Sequence, residues 1–173
     1  ACELLIDGVA FFDCMFDEIA KARDYVYVEF FIIRDDDLGN RLAQCLIERA
    51  QAGVRVRVLY DEVGCLRLTR AYLSQLSQAG VEVYPFNTRQ GWVNRFQINF
   101  RNHRKLIVVD GKTALVGGLN IGNEYFGSPE ESGRWRDTGL KVEGPITSKI
   151  QAVFAGDYYW AVRENLPEAR WPT

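Results

Sequence analysis

The feature that most constrains this chain is the stretch from Phe100 to Tyr125, FRNHRKLIVVDGKTALVGGLNIGNEY. It carries the one histidine of the protein, His103, two residues before Lys105 and seven before Asp110. The apolar residues 106–109 predict a short β-strand, in which side chains two positions apart lie on the same face. His103 and Lys105 are therefore expected to project together from the start of that strand.

A further polar group follows this strand. Gly117 and Gly118 predict a tight turn, and Asn120 presents an amide two residues later. Taken singly, a lone histidine is usually a surface or satisfied core residue, a lone lysine is usually solvated, and an Asp before Gly usually belongs to a turn. These separate explanations do not account for the fixed spacing. An imidazole, an ammonium and an amide that converge suit a phosphate monoanion.

The pattern H-x-K-x4-D-x6-G-[G/S]-x-N resembles the signature of the phospholipase D superfamily, and the wording of the stretch is similar to the first such motif of bacterial cardiolipin synthases. The general superfamily pattern has Ser after the first Gly, where this chain has Gly118. A hydroxyl contact to phosphate is therefore missing at that position. The Gly-Gly form resembles the synthase branch, and it leaves Gly117 and Gly118 with backbone contacts to the substrate.

Composition places the chain among globular proteins. Its 173 residues suffice for a single domain with a proper core, and 47% of them are hydrophobic. The net charge of -2 gives no support to sequence-independent nucleic-acid binding, which relies on a basic surface, so a nucleic-acid partner is not expected. No apolar run is long enough to span a bilayer and no signal-like segment stands at the start, so we expect this chain itself to be soluble.

Metal binding is not expected either. The four cysteines are widely spaced and lack a C-x2-C pair, and a single histidine is available to complete a zinc site. The run Asp35-Asp36-Asp37 could be mistaken for a metal cluster, but we interpret it as a solvated turn whose last members cap a helix. We expect neither a metal nor another cofactor.

Helix and strand patterns alternate along the chain. The apolar strand 25–33 suits a central position covered on both faces, and two helix–Gly–strand units follow it. Such units imply parallel pairing through right-handed crossovers. We therefore expect an α/β fold, a three-layer α-β-α sandwich with a mixed, largely parallel sheet flanked by helices. The predicted helices are 8–22, 38–51, 67–79 and 146–162, and the other predicted strands are 54–60, 81–86, 106–109 and 138–143. In the first helix we expect Asp7 as N-cap and a buried stripe of Val9, Phe12, Phe16 and Ile19. The tail from Asn165 is expected to be loose.

Glu29 is the exception within the apolar strand. A carboxylate there is costly unless it is paired. It is either a residue of the functional pocket or lies at the exposed end of the strand, and a buried ion pair with a neighbouring Arg is the ordinary alternative. We include Glu29 among the candidate substrate-binding residues.

The segment 87–102 interleaves aromatic residues with arginines. It could pack aromatic side chains beneath a loop, form a rim that meets anionic lipid headgroups, or bind single-stranded nucleic acid. The segment alone does not decide between these. Because it borders His103, Trp92 and Arg101 are candidate substrate-binding residues.

The resemblance also implies roles for individual residues. In the family an acidic residue at the start of the strand 138–143 hydrogen-bonds the motif histidine, and Asp137 holds the matching position; its ordinary alternative is a salt bridge with the preceding arginine. Such a carboxylate fixes the tautomer and stabilises the imidazolium. His103 is then the nucleophile, while Lys105 and Asn120 neutralise and orient the phosphate oxygens without a metal. Asp110 belongs to the catalytic motif, although its place at the far end of the strand predicts a structural role.

The resemblance covers nearly the whole chain but only half an enzyme. Family members build one active site from two such motifs, in one chain or by homodimerisation, and the synthases carry both behind N-terminal membrane segments. It therefore implies the first catalytic half of a parent protein at the cytoplasmic membrane, which uses a phosphohistidine to join two phosphatidylglycerols and release glycerol. The alternatives are a superfamily nuclease and a catalytically silent module that binds lipid phosphate.

Overall fold

The computed structural model describes residues 1–86, 102–126 and 136–171. The strands in these residues are β1 (Cys2–Ile6), β2 (Tyr25–Phe30), β3 (Arg55–Asp61), β4 (Glu82–Phe86), β5 (Lys105–Val109), β6 (Thr113–Val116) and β7 (Thr138–Glu143). The helices are α1 (Asp7–Lys21), α2 (Asp37–Gln51), α3 (Arg70–Gln78), α4 (Asn123–Phe126) and α5 (Ile146–Val162). The seven strands form one sheet in the order β1-β7-β6-β5-β2-β3-β4.

The two faces of the sheet pack against different helices. On one face, helices α1 to α4 cover an apolar cluster to which α1 contributes Phe12 and β2 contributes Val28. On the other face, α5 packs Phe154 and Tyr158 against Tyr27 of β2. All six residues of β2 are buried, which confirms its central, doubly covered position. The predicted α/β sandwich of three layers is confirmed.

The sheet is mixed but less parallel than predicted. The pairs β2–β3 and β3–β4 are parallel, as the helix–Gly–strand units indicate. The other four pairs are antiparallel. One of these four is a hairpin between β5 and β6, whose turn residues Asp110 and Gly111 have φ values of 52° and 64°. An Asp-Gly pair with positive φ at both positions is typical of the hairpin turn that matches strand twist.

The start of α1 differs from the prediction. Asp7 does not cap the helix from outside; it is the first helical residue, with φ of 65° and no side-chain cap bond at the N-terminus. Its carboxylate instead accepts a hydrogen bond from the backbone N–H of Asp137 at 3.4 Å. Phe12, Phe16 and Ile19 are buried as predicted, whereas Val9 is 50% exposed and does not belong to the buried stripe.

The C-terminal tail packs against the core, whereas the sequence predicts a loose tail. Leu166 is buried in the α5 face of the core. The carboxylate of Glu168 pairs with Arg57 and accepts a hydrogen bond from Tyr27 Oη at 2.7 Å. These contacts tie the tail to β2 and β3, so the expectation of a loose tail is wrong for the described part of it. The predicted bounds of β7 and α5 are confirmed.

The acidic run before α2 caps that helix as predicted. The Asp36 carboxylate accepts a hydrogen bond from the Gly39 N–H at 3.0 Å. In the described ranges no cluster of three or more His, Cys, Asp or Glu side chains could hold a metal ion. None of the helices in the same ranges has both the length and the apolar character required to cross a bilayer.

Candidate active site

The candidate site lies at one edge of the sheet, where β5 and β7 begin and β2, β3 and β6 end. Lys105 at the start of β5 pairs with Phe30 at the end of β2. Val116 at the end of β6 pairs with Leu140 near the start of β7. Because these strand ends meet, the segments around His103, Asn120 and Asp137 reach the same edge from three places in the sequence.

His103 and Lys105 meet at this edge. Lys105 Nζ lies 3.1 Å from His103 Nδ1 and donates a hydrogen bond to the His103 carbonyl at 2.7 Å. The imidazole is exposed, whereas Lys105 is buried. The ring of Phe31 packs against the imidazole with centroids 4.1 Å apart, and Lys105 Nζ lies 5.4 Å from the Phe31 centroid. The structure thus brings together an accessible imidazole and a sheltered ammonium.

This contact constrains the tautomer of His103. An ammonium has donors only, so Nδ1 must accept when Lys105 is protonated, and the ring proton then lies on Nε2. Attack by Nε2 requires that nitrogen to be free of its proton. With Lys105 protonated, the Lys105–Nδ1 contact must therefore break, and the proton must pass to Nδ1, before His103 can act as a nucleophile through Nε2.

Two opposing effects act on the Lys105 ammonium. Burial lowers the pKa of Lys105, and the carboxylate of Asp137 opposes that shift. Asp137 Oδ1 accepts a hydrogen bond from the Thr138 N–H at 2.6 Å, which fixes the carboxylate at the start of β7. Asp137 therefore lies at the same edge as Lys105. Its hydrogen bond to the His103 ring, which the resemblance implies, stays a prediction.

The two glycines lie where side chains would collide. A Cβ on Gly118 would stand 2.4 Å from Asp137 Oδ2. A Cβ on Gly117 would stand 3.3 Å both from the Cα of Gly139 and from the Phe11 ring. The Asp137 carboxylate thus occupies the space beside position 118, and a larger residue there would require this carboxylate to move.

Asn120 is buried at the same edge and bonded to the scaffold. Its Oδ1 accepts a hydrogen bond from the Ile32 N–H at 3.1 Å, and its Nδ2 donates to Tyr125 Oη at 3.2 Å. These contacts use one of the two Nδ2 hydrogens. Asn120 therefore holds the chain beyond β2 against the β6 side, and its second Nδ2 hydrogen has no bond among the described residues.

Asp110 lies at the opposite end of β5. It stands five positions beyond Lys105 in the sequence, a distance of about 16 Å along the strand. Its Oδ1 accepts hydrogen bonds from the N–H groups of Asp24 (2.8 Å) and Tyr25 (2.9 Å), and its Oδ2 accepts one from Arg23 (3.0 Å). Asp110 is placed to anchor the chain entering β2, and the structure does not bring it to the site.

Glu29 faces away from Lys105. It pairs with Leu106, whereas its neighbour Phe30 pairs with Lys105, so the two side chains point to opposite faces of the sheet. Glu29 is 1% exposed, and the Nδ2 of Asn102 donates a hydrogen bond to it. The candidate role in substrate binding is therefore corrected: Glu29 lies on the α5 face, behind the residue that precedes His103.

A polar cleft of about 510 Å³ opens beyond the end of β2. The N–H of Arg34 on its wall donates to the Ile121 carbonyl at 2.9 Å, next to Asn120. Two arginines and three acids line it, and Arg34 Nε lies 3.3 Å from Glu124. A cleft with this excess of acidic groups suits a hydroxyl-rich group better than a bare anion.

Comparison with known proteins identifies the family. A family model described as "Cardiolipin synthase, PLD-like domain" matches residues 15–158. The chain belongs to this family. It is 50% identical over 165 residues to cardiolipin synthase A of Pseudomonas putida and 48% identical over 164 residues to that of Pseudomonas fluorescens, in each case over 95% of this chain. The chain spans about a third of the length of these relatives (34%).

Solved structures show the same fold for this phospholipase D-like domain. NucT from Helicobacter pylori superposes with a TM-score of 0.73 at 14% identity, over 94% of this chain and 98% of that one. Nuc, a phospholipase D family member from Salmonella typhimurium, gives 0.66 at 15% identity, over 96% and 99%. Phosphatidylserine synthase of Haemophilus influenzae gives 0.71 at 22% identity, over 99% of this chain and 40% of that one.

Two predicted site residues of this phospholipase D-like domain lie outside the described residues, and the sequence prediction did not include a group of residues next to His103. Trp92 and Arg101, with the proposed headgroup rim, lie outside the described residues. Sequence reasoning missed Asn102 and its partners Asp61 and Asp157. An Asn directly before the motif His was the available signal, since Asn side chains bond nearby backbone groups.

Proposed function

We propose that this chain is the first catalytic half of a cardiolipin-forming phosphatidyltransferase. The observation that carries the proposal is the exposed His103 imidazole with Lys105 Nζ 3.1 Å away, in a domain of the cardiolipin synthase family. The proposed donor and acceptor are both phosphatidylglycerol, and glycerol is the product released. The chain has one histidine and the proposed mechanism uses two, so a second half or a second copy of the chain completes the site in this proposal.

The first step forms a phosphohistidine. Nε2 of His103 attacks the phosphorus of one phosphatidylglycerol, and the bond from phosphorus to the headgroup glycerol oxygen breaks. The departing oxygen takes a proton from the histidine of the second motif, which the partner half supplies. The approaching phosphate takes the place of His103 Nδ1 in the contact with the Lys105 ammonium. Lys105, one N–H of Asn120 and the backbone at Gly117 and Gly118 then stabilise the non-bridging oxygens.

The second step transfers the phosphatidyl group. A hydroxyl of the second phosphatidylglycerol gives its proton to the partner histidine, and its oxygen attacks phosphorus as the bond to Nε2 breaks. Neutral His103 is regenerated. The polar cleft beside Arg34 is suited to the hydroxyl-rich headgroup of this acceptor. Asp137 would hold a ring proton on His103 and stabilise the imidazolium, which is its role in the proposal.

The setting of the reaction is part of the same proposal. The substrate is an anionic phospholipid, so the parent protein is expected at the cytoplasmic membrane surface. The rival function is hydrolysis of a nucleic-acid diester by the same residues. The net charge of -2 disfavours that substrate because nucleic-acid binding relies on basic surfaces.

Substrate competition tests the proposal. The protein, joined with its second half, is incubated with phosphatidylglycerol vesicles, and cardiolipin and released glycerol are measured with and without a single-stranded oligonucleotide. We expect cardiolipin formation that the oligonucleotide leaves unchanged and that His103→Ala abolishes. Cleavage of the oligonucleotide without cardiolipin would assign the nuclease function, and neither product would assign a silent binding module.

A further inference from the structure

We propose that Glu29, acting through Asn102, is a positioning residue that holds His103 in the orientation required for attack. This inference rests on the proposed function, because that function defines which orientation of His103 is required. Glu29 is buried on the α5 face of the sheet, opposite the face of Lys105. Its effect passes through one side chain, which stands directly before His103 in the sequence.

Asn102 is fixed from several directions. Its N–H donates to Asp61 Oδ2 at 3.0 Å, and its Nδ2 donates both to Glu29 Oε1 and to Asp157 Oδ2, the latter at 3.2 Å. Its Oδ1 accepts from the Arg104 N–H at 3.1 Å, a local bond that spans His103. Backbone and side-chain bonds on both sides of His103 therefore depend on the position of one amide.

The partners of Asn102 come from separate parts of the fold. Glu29 is in β2, Asp61 ends β3 and Asp157 is in α5. Arg104 Nη1 pairs with Asp157 Oδ2 at 2.5 Å, so α5 also holds the residue that follows His103. Residues 102–104 are thus held by these bonds to the sheet and to α5, on the side opposite Lys105.

The charge balance of this cluster favours a neutral Glu29. Three acids, Glu29, Asp61 and Asp157, surround Asn102, and Arg104 faces them among the residues that the structure describes. Glu29 Oε2 is buried and makes no hydrogen bond within the described residues. Burial, followed by the charge of Asp157, raises the pKa of Glu29 well above its usual value. A protonated Glu29 keeps one oxygen to accept from Asn102 and offers a proton on the Asp157 side.

Glutamine reproduces this neutral acid, since it has one acceptor oxygen and a donor group in the same shape. Glu29→Gln should therefore preserve the cluster. Glu29→Ala and Asn102→Ala remove the support. A misplaced reacting group costs roughly 100-fold in rate, and the loss should fall on kcat with KM nearly unchanged.

The test uses the signal of the single histidine. The imidazole resonances of the 173-residue chain are recorded by NMR from pH 5 to pH 9 for the unaltered protein, Glu29→Gln, Glu29→Ala and Asn102→Ala. Glu18→Ala is the matched control, because Glu18 is a buried acid on α1 that pairs with Lys21 and Lys141. Circular dichroism confirms that each variant is folded, and Asn102→Ala serves if Glu29→Ala does not fold.

We expect one sharp His103 signal in the unaltered chain, Glu29→Gln and Glu18→Ala, and shifted or multiple signals in the two variants that break the cluster. On rising pH the unaltered chain should lose its single signal as Glu29 ionises beside Asp157, whereas Glu29→Gln should not.

An unchanged His103 signal in both Glu29→Ala and Asn102→Ala would overturn the proposal. So would a Glu29→Gln signal as disturbed as that of Glu29→Ala. The NMR outcome does not depend on turnover, so it is separable from a failure of the proposed transferase activity.

Discussion

The carboxylate of Asp137 occupies the space that a side chain at position 118 would need, with Oδ2 2.4 Å from the place of a Cβ on Gly118. Position 118 and Asp137 are therefore coupled. A glycine here lets the carboxylate approach the turn between β6 and Asn120, where its charge also acts on Lys105.

Gly118→Ala should destabilise the protein and displace Asp137. Overpacking of a core costs about 1–3 kcal/mol. Because the atom in the way is the tip of a half-buried side chain, we expect a loss toward the lower end of this range in the free energy of unfolding, with reduced turnover. Urea denaturation and the cardiolipin assay measure the two effects. Gly156→Ala is the control, since a Cβ there meets nothing within 4 Å and alanine favours helix. Equal stability of the two variants would contradict the coupling.

Lys105→Gln should abolish most activity while the fold survives. The ammonium is the cation closest to His103 in the described residues, and removal of one such group from an oxyanion site lowers kcat about 10²- to 10³-fold. Binding of inorganic phosphate, followed through the His103 NMR signal, should weaken in parallel. Lys112→Gln, an exposed lysine in the turn at the other end of β5, should change neither quantity. Similar losses in both variants would show that the effect is not local to the site.

Asp110→Ala should reduce stability without changing the chemistry at His103. Three backbone N–H groups would lose their acceptor, and an unsatisfied buried donor, here the N–H of Tyr25, costs about 1–3 kcal/mol. Asp110→Asn keeps an acceptor oxygen and tolerates the positive φ, so it should lose less. Thermal unfolding and the His103 NMR signal measure the two effects. A changed His103 signal in a stably folded Asp110→Asn protein would give Asp110 a role at the site.

Glu29 should make the stability of the folded chain depend on pH. Its pKa is raised in the folded state above the ordinary value of 4.5, so the folded chain retains a proton that the unfolded chain loses. The stabilising contribution is complete below the unfolded pKa and is lost as the pH rises through the folded pKa. Relative to Glu29→Gln, the unaltered protein should lose free energy of unfolding with rising pH, at up to about 1.4 kcal/mol per pH unit. Parallel stability curves for the two proteins, measured by urea denaturation across pH 4 to 9, would contradict this.

The sequence predicts the parts of the fold that repeat a local pattern. Helices α2, α3 and α5 and strands β2, β3, β4 and β7 follow from periodicity, and the glycines that end α2 and α3 mark the parallel crossovers. The β5–β6 hairpin was missed because Asp110 and Gly111 were assigned to a turn without the strand that follows them. The edge strand β1 has no strong local signal, since its place depends on pairing with β7, which is distant in the sequence.

Within the site too, contacts between neighbours in the sequence were predicted, and contacts between distant segments were not. His103 and Lys105 meet as their spacing predicts, because both stand on one short segment at the start of β5. The partners of Asn102 come from β2, β3 and α5, so no local pattern could have revealed them. Glu29 was singled out correctly as unusual for its strand, but its face depends on the pairing register with β5, which the sequence alone leaves undetermined.

The central claim is that His103 attacks and that a second histidine, outside this chain, protonates the leaving alcohol. General acid assistance is worth about 10²- to 10⁴-fold, and this chain has one histidine. The direct measurement is phosphatidylglycerol turnover against protein concentration, with and without the second half, and with His103→Ala as control. We predict negligible turnover by the monomer, restoration by the second half that depends on His103, and, for a homodimer, activity that falls on dilution. Turnover by a demonstrated monomer that is independent of concentration and abolished by His103→Ala would contradict the account.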